Sequence, residues 1–223
     1  MRYARQEILP EIGTNGQKRL SESTVTIVGV GALGTVSAAL LTRAGIGKII
    51  LIDRDIVDES NLQRQALFTE ADVGKAKAIQ AKEQLERINS DVSIEAYPED
   101  LTDKNIATLV HGDLIMDGTD NMETRFLLND FAKKKHIPWV YGAAVQDRGS
   151  VMSITPSSPC LSCVFKGRKS LETCETAGVL NTIIYFIASL QVTKAIKILL
   201  NNSMIIYSRK ELQIREWLNC HGN

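Results

Sequence analysis

Gly29-Val30-Gly31-Ala32-Leu33-Gly34 sets three glycines in a GxGxxG spacing, between a β-rich run (Thr24–Val30) and an alanine- and leucine-rich run (Ala32–Ala44). At a strand-to-helix junction such glycines let the backbone turn tightly and approach a phosphate, and the free N–H groups of the helix start present a positive end. Asp53 closes the next apolar run, Lys48–Asp53. A carboxylate there can accept hydrogen bonds from both hydroxyls of a ribose. Taken alone, this pattern reads by default as an NAD site, and its bland alternative is a tight turn with no ligand.

Four further features bear on which nucleotide binds. Asn61-Leu62-Gln63-Arg64-Gln65 follows Asp53 closely, Lys77 stands at the start of a helical run, Asp117-Gly118-Thr119-Asp120-Asn121 follows a fourth apolar run, and Arg5 lies in Arg2-Tyr3-Ala4-Arg5-Gln6. Separately, each cation reads as a surface charge and Asp120 as an N-cap of the following helix. Together they place two cations, an asparagine and a carboxylate near the carboxyl ends of parallel strands. A departing polyphosphate needs positive charge, and Mg²⁺ needs hard oxygen ligands. ATP chemistry uses these groups; hydride transfer has no evident task for them.

The elements that must position these groups follow from the pattern. Strands are expected at Thr24–Val30, Lys48–Asp53, Val92–Ala96, Asp113–Asp117, Ile137–Tyr141 and Ser150–Thr155. Helices are expected at Ala32–Ala44, Ala76–Asn89 (apolar at Ala76, Ile79, Ala81 and Leu85), Lys104–Val110 and Asn121–Lys135 (apolar at Phe126, Leu127 and Phe131). A long helix is expected at about Ala177–Leu200, with a terminal antiparallel pair at Ile205–Tyr207 and Leu212–Trp217. Alternating strands and helices imply an α/β fold, Rossmann-like and doubly wound, with a mostly parallel sheet and antiparallel C-terminal strands. Val179–Leu200 is apolar but is interrupted by Asn181, Gln191, Lys194 and Lys197, so it reads as a helix buried partly in the core and partly at a subunit interface rather than a membrane span.

The 223 residues suffice for one domain with a sizeable core. The 26 basic residues cancel the 26 acidic ones, which gives no support to nucleic acid or an anionic membrane as a partner. The N-terminus has no apolar signal core, so a cytoplasmic location is expected. His111, His136 and His221 form no triad or metal-binding spacing.

The motifs RYARQEILPEIGTNGQKRL, VGVGALG, LIDRDIVDESNLQRQ, VGKAK, MDGTDNMETR, CLSC, CETAGVL and SLQVTKAIK occur in this order from Arg2 to about Leu200. In this the chain resembles the ThiF/MoeB/HesA family, bacterial relatives of ubiquitin-activating enzymes. The resemblance implies a single adenylation domain over residues 1–223, with a nucleotide-binding core at about 24–145. The remainder, about 146–223, would carry the CxxC, a crossover loop, the long helix and a terminal hairpin. It implies ATP- and Mg²⁺-dependent adenylation of the C-terminal glycine of a small ubiquitin-like sulfur carrier, of the ThiS or MoaD type and ending in Gly-Gly. The resemblance further implies that the products would serve thiamine or molybdenum-cofactor synthesis. By motif, Gly29, Gly31 and Gly34 would approach the nucleotide, and Asp53 would hold the ribose. Asn61, Arg64 and Lys77 would bind the phosphates, Asp120 would hold Mg²⁺, and Arg5 would reach into the partner's site in a homodimer. No room remains after Asn223 for a fused sulfurtransferase domain, so a separate sulfur donor is expected.

The cysteines depart from the family pattern. The resemblance implies a structural zinc held by two CxxC pairs. Cys160 and Cys163 form one, and Cys220 begins the second, but Asn223 stands where the fourth ligand belongs. Three readings stay open: zinc with His221 or water as fourth ligand, a shortened chain, or a metal-free thiol pair. Cys174, in the polar loop Lys166–Thr176, is a candidate acceptor of the activated acyl group; its bland readings are a zinc ligand or an inert thiol. That loop is expected to be mobile until a carrier tail binds. Two rival functions remain beside adenylation: an NAD-dependent oxidoreductase, and a non-catalytic carrier-binding relative.

Overall fold

The computed structural model describes residues 2–165 and 177–201. Cys174, Cys220, His221, the loop Lys166–Thr176 and the expected terminal strand pair lie outside the described residues.

Six strands form one sheet: β1 (Thr24–Val28), β2 (Lys48–Ile52), β3 (Ser93–Tyr97), β4 (Leu114–Asp117), β5 (Trp139–Val145) and β6 (Arg148–Ile154). Their spatial order is β3-β2-β1-β4-β5-β6. The first five run parallel, and β6 lies antiparallel to β5, from Trp139 opposite Ile154 to Val145 opposite Arg148. This is the expected doubly wound sheet with an antiparallel edge. The chain leaves β1 toward β2 on one side and later returns to β4 on the other. The crevice at the carboxyl end of β1 is therefore the switch point where open α/β sheets bind ligands.

Helices α1 (Ala4–Glu7), α2 (Gly13–Glu22), α3 (Ala32–Ala44), α4 (Lys77–Ile88), α5 (Ile106–Leu109), α6 (Met122–Lys135), α7 (Leu161–Phe165) and α8 (Asn181–Leu199) surround the sheet. Alternate strand residues feed two cores. Val25, Ile27, Ile49 and Leu51 pack with Leu41, Leu85 and Val192 on one face. Val28, Ile50, Ile52 and Ile115 pack with Leu109, Leu128 and Trp139 on the other. Covering both faces explains why the strands read as continuous apolar runs. Each fully buried leucine or isoleucine stabilises the fold by about 1.5–3 kcal/mol.

Several local expectations need correction. On α4 the inward residues include Ala78, Ala81 and Leu85, while Ile79 is exposed. On α6 the buried residues are Arg125, Leu128, Asn129 and Ala132; Phe126, Leu127 and Phe131 are only partly buried. Polar side chains that look inward displaced the apolar stripe by a fraction of a turn. Asn121, not Asp120, caps α6, its side chain accepting from the Thr124 N–H at 2.8 Å. The long helix begins at Asn181 rather than Ala177, because Gly178 takes a left-handed turn (φ 73°) and Val179 bridges to Gln146. By length and composition α8 is long and apolar enough to cross a membrane, which the count of interrupting polar residues had denied. Its inner face, including Ile184, Ile187, Ala188 and Val192, belongs to the core, while Tyr185 and Phe186 are exposed, so it is buried on one face only. Helices α1 and α2 had no assignment from the sequence, where glycine at positions 13 and 16 obscures a helix that buries Gln17 and Leu20.

The turn after β1 depends on close backbone approach. Gly29 has φ 86°, a left-handed conformation open to glycine. A Cβ at Gly34 would collide with the Gly29 carbonyl, and a Cβ at Gly118 would meet the same oxygen. Gly34→Ala should therefore cost about 2–4 kcal/mol. Thermal unfolding should show Tm lowered by roughly 5–15 °C; an unchanged Tm would refute this reading of the turn.

Candidate nucleotide-binding site

A cavity of about 1560 Å³ opens at the carboxyl ends of β1, β2 and β4. Gly29, Gly31, Asp53, Asn61, Arg64, Lys77 and Asp120 all border it, so the residues chosen by type and spacing converge in one place. Two do not line it. Gly34 packs beneath the turn. Arg5 is exposed on α1, whose neighbour Gln6 donates to the carbonyl of Ala44 at the far end of α3. The cavity lies at the N-terminal end of that helix.

The floor is built from the turn itself. Gly31 stands at the N-cap of the 13-residue α3 with no side-chain cap, leaving first-turn N–H groups for a ligand. A Cβ on Gly31 would meet no protein atom nearer than Gln65 Nε2 at 3.8 Å. Nothing in the protein forbids a side chain there; a molecule in the cavity would. Gly31→Ala should leave Tm unchanged and weaken ATP binding at least about tenfold. Calorimetric titration of both proteins checks this, and equal affinities would remove Gly31 from the site.

Asp53 follows β2, and both of its oxygens are engaged. Oδ2 accepts from the Val30 N–H at 2.6 Å, and Oδ1 from the Asp55 N–H at 2.8 Å. Burial raises its pKa above the usual carboxylate value; the two N–H donors and Lys77 oppose that rise, and Asp55 adds to it. A raised pKa means that the proton arrives earlier on acidification. Holding ribose hydroxyls as an acceptor needs the ionised form. Affinity for adenosine, which has no phosphate to titrate, should fall on acidification, and at a higher pH than an ordinary aspartate would give. Asp53→Asn should bind weakly and without this dependence; a flat wild-type profile would contradict the assignment.

The cations come from the segment after β2. Asp58 caps a short 3-10 helix, Glu59–Asn61. Arg64 Nη1 donates to the Ser60 carbonyl at 2.9 Å. Lys77, the first residue of α4, is buried, and its Nζ lies 3.0 Å from Asp55 Oδ2. Asp120 is exposed at the rim, with one long contact from Asn121 Nδ2 at 3.4 Å.

Sequence reasoning missed Asp55, Gln65 and Arg125. Gln65 is buried against the cavity with Oε1 lacking a partner. Arg125 forms a buried pair with Asp117 (Nε to Oδ2, 3.0 Å), and its Nη2 donates to the carbonyls of Thr119 at 2.6 Å and Gly142 at 3.0 Å. Its guanidinium also lies over the Tyr141 ring, 5.0 Å from the centroid. Burial works against this charge, but Asp117 and Tyr141 more than offset it and raise the pKa. Removing Arg125 would strand the Asp117 charge, at about 3–5 kcal/mol. The signal available was its place one turn into α6, in MDGTDNMETR.

A sequence model of the ThiF family matches residues 3–220. The chain belongs to the ThiF family. It is 45% identical over 203 residues to the sulfur carrier protein ThiS adenylyltransferase of Bacillus subtilis, covering 89% of this chain and 60% of that one. It is 40% identical over 213 residues to the adenylyltransferase and sulfurtransferase MOCS3 of Anopheles gambiae, covering 93% of this chain and 48% of that one. This ThiF-family chain thus spans roughly half to three-fifths of these relatives' lengths. Its fold also matches E. coli MccB solved with ATP, with TM-score 0.79 and 25% identity over 91% of this chain and 64% of that one.

The thiol pair lies apart from the cavity. Cys160 Sγ and Cys163 Sγ are 3.3 Å apart. Burial acts to raise the Cys160 pKa, but hydrogen bonds from the Cys163 thiol and the Cys163 and Ser162 N–H groups outweigh it and lower the pKa. Two soft donors so placed fit half of a tetrahedral zinc site. Among the described residues no third ligand joins them.

Proposed function

We propose that this chain adenylates the C-terminal glycine carboxylate of a small ubiquitin-like sulfur-carrier protein, using ATP and Mg²⁺. The observation that carries this reading is the meeting of Asp53, Arg64 and Lys77 around one cavity beside the bare Gly31 backbone. Membership of the ThiF family, relatives named as adenylyltransferases and the likeness to ATP-bound MccB support it. Hydride transfer would leave both cations without a task.

The carrier carboxylate is already a nucleophile. One of its oxygens bonds to the α-phosphorus as the bond from that phosphorus to the β-bridging oxygen breaks, giving acyl-adenylate and pyrophosphate. The chain contributes position and charge. Asp53 fixes the ribose, the α3 N–H groups meet the phosphates, and Arg64 and Lys77 neutralise the departing pyrophosphate. The exposed Asp120 carboxylate fits a hard cation, and magnesium held there would withdraw charge from the phosphates. Arg5 does not line its own cavity, which suits a homodimer in which it serves the partner. Cys160, Cys163 and Cys220 would hold zinc, with the fourth ligand open; Cys174 would be the acyl acceptor if a covalent step follows. We place the reaction in the cytoplasm, where thiols stay reduced, with a separate sulfur donor and no role for nucleic acid or membrane.

ATP–pyrophosphate exchange tests this with two carriers in parallel, one of ThiS type and one of MoaD type. Exchange should require a carrier ending in Gly-Gly, and the active carrier assigns thiamine or molybdenum-cofactor synthesis. Arg64→Ala should slow exchange by about 10²–10³-fold with Tm preserved. No exchange with either carrier, in folded and zinc-loaded protein, would favour the non-catalytic carrier-binding alternative.

A further inference from the structure

Lys77 is a deeply placed cation on the cavity wall, with a side chain only 8% exposed. A buried ammonium needs a partner. Its partner is Asp55, whose own side chain is 52% exposed. The two residues are tied at the backbone as well, since the Lys77 N–H donates to the Asp55 carbonyl at 2.9 Å. That bond ends a small antiparallel ladder. The Val57 N–H donates to the Lys75 carbonyl, the Gly74 N–H donates to the Val57 carbonyl, and Ile56 bridges Ala76. The ladder fixes where Asp55 stands relative to α4. Asp55 also donates its N–H to Asp53 Oδ1 at 2.8 Å. One residue thus touches both the carboxylate expected to hold the ribose and the ammonium expected to hold the phosphates.

We propose that Asp55 is the positioning residue for Lys77, holding its ammonium at a fixed place on the cavity wall and linking the ribose contact to the phosphate contact. The ammonium has three N–H bonds. Asp55 takes one and leaves two for phosphate oxygens, so the pair can persist when ATP binds. Because Asp55 is negative, its presence weakens ground-state attraction for a polyphosphate. Its benefit lies in the transition state, where the departing charge must meet a donor already in place. A residue that merely supported the fold would produce no such split between binding and turnover.

The catalytic part of this inference rests on the adenylation reading, and two measurements keep them separable. The first needs no activity. In ¹⁵N-lysine spectra of the ammonium groups, a held Lys77 gives a protected cross-peak, assigned by its loss in Lys77→Arg. Asp55→Ala should abolish that cross-peak through fast proton exchange, and Asp55→Asn, which keeps an oxygen acceptor, should retain it. An unchanged cross-peak in a folded Asp55→Ala protein would overturn the anchoring. The second is carrier-dependent exchange. Asp55→Ala should lower kcat by about tenfold or more, since small misplacements of a catalytic group are costly, with KM for ATP unchanged or reduced. Asp55→Asn should recover most of the rate, and Asp55→Ala with Lys77→Ala together should lose no more than Lys77→Ala alone. Additive losses, or a raised KM with unchanged kcat, would overturn the positioning role. Absence of exchange in the wild-type protein would count against the adenylation reading, and the ammonium spectra would still decide the anchor.

Discussion

The carbonyl oxygen of Gly29 is approached by two other backbones more closely than any side chain would permit. Gly34, in the first turn of α3, and Gly118, after β4, both pack against it without a Cβ. This contact fixes the angle at which α3 leaves β1, and it brings the loop after β4 against the loop after β1. The cavity follows. Asp53 can reach the Val30 N–H only because that loop is folded back tightly, and Asp120 arrives at the same rim because Gly118 is locked beneath it.

Around this contact the protein uses polar groups inside its core to hold loops in place. Asp117 is fully buried and divides its carboxylate between Arg125 on one oxygen and the Thr119 N–H and hydroxyl on the other. Gln191 of α8, also fully buried, donates to the carbonyls of Asp117 and Val140. Such groups contribute little net stability compared with apolar packing, but each leaves a costly unpaired partner if it moves. The loop between β4 and α6 therefore has one low-energy arrangement.

The sheet and the cavity were legible in the sequence for a physical reason. Parallel strands covered on both faces must be apolar throughout, and a turn in which backbones touch needs glycine at the points of contact. Lys48–Ile52 and Gly29–Gly34 show both requirements in their residue types. The inward face of α6 was not legible, because Arg125 and Asn129 turn inward to satisfy neighbouring loops, and hydrophobic spacing cannot anticipate that. Asp55 was invisible for a related reason. Its partner, Lys77, is distant in sequence and meets it only through the ladder joining residues 55–57 to 74–77. The N-terminal helices escaped notice because α2 starts on glycine and buries Gln17, which donates to Ala44.

Helix α6 carries one polar residue per turn along a single line. Asn121 caps its start, Arg125 holds the strand ends, and Asn129 accepts from the Leu161 N–H at 2.8 Å. Lys133 donates to the carbonyls of Thr155, Pro156 and Ser158. The stripe runs from the cavity mouth to the turn that presents Cys160, about 18 Å at the helical rise. The spacing between cavity mouth and thiol pair is thus set by the pitch of one helix, as a ruler sets two marks. A tilt of that helix would carry both ends with it.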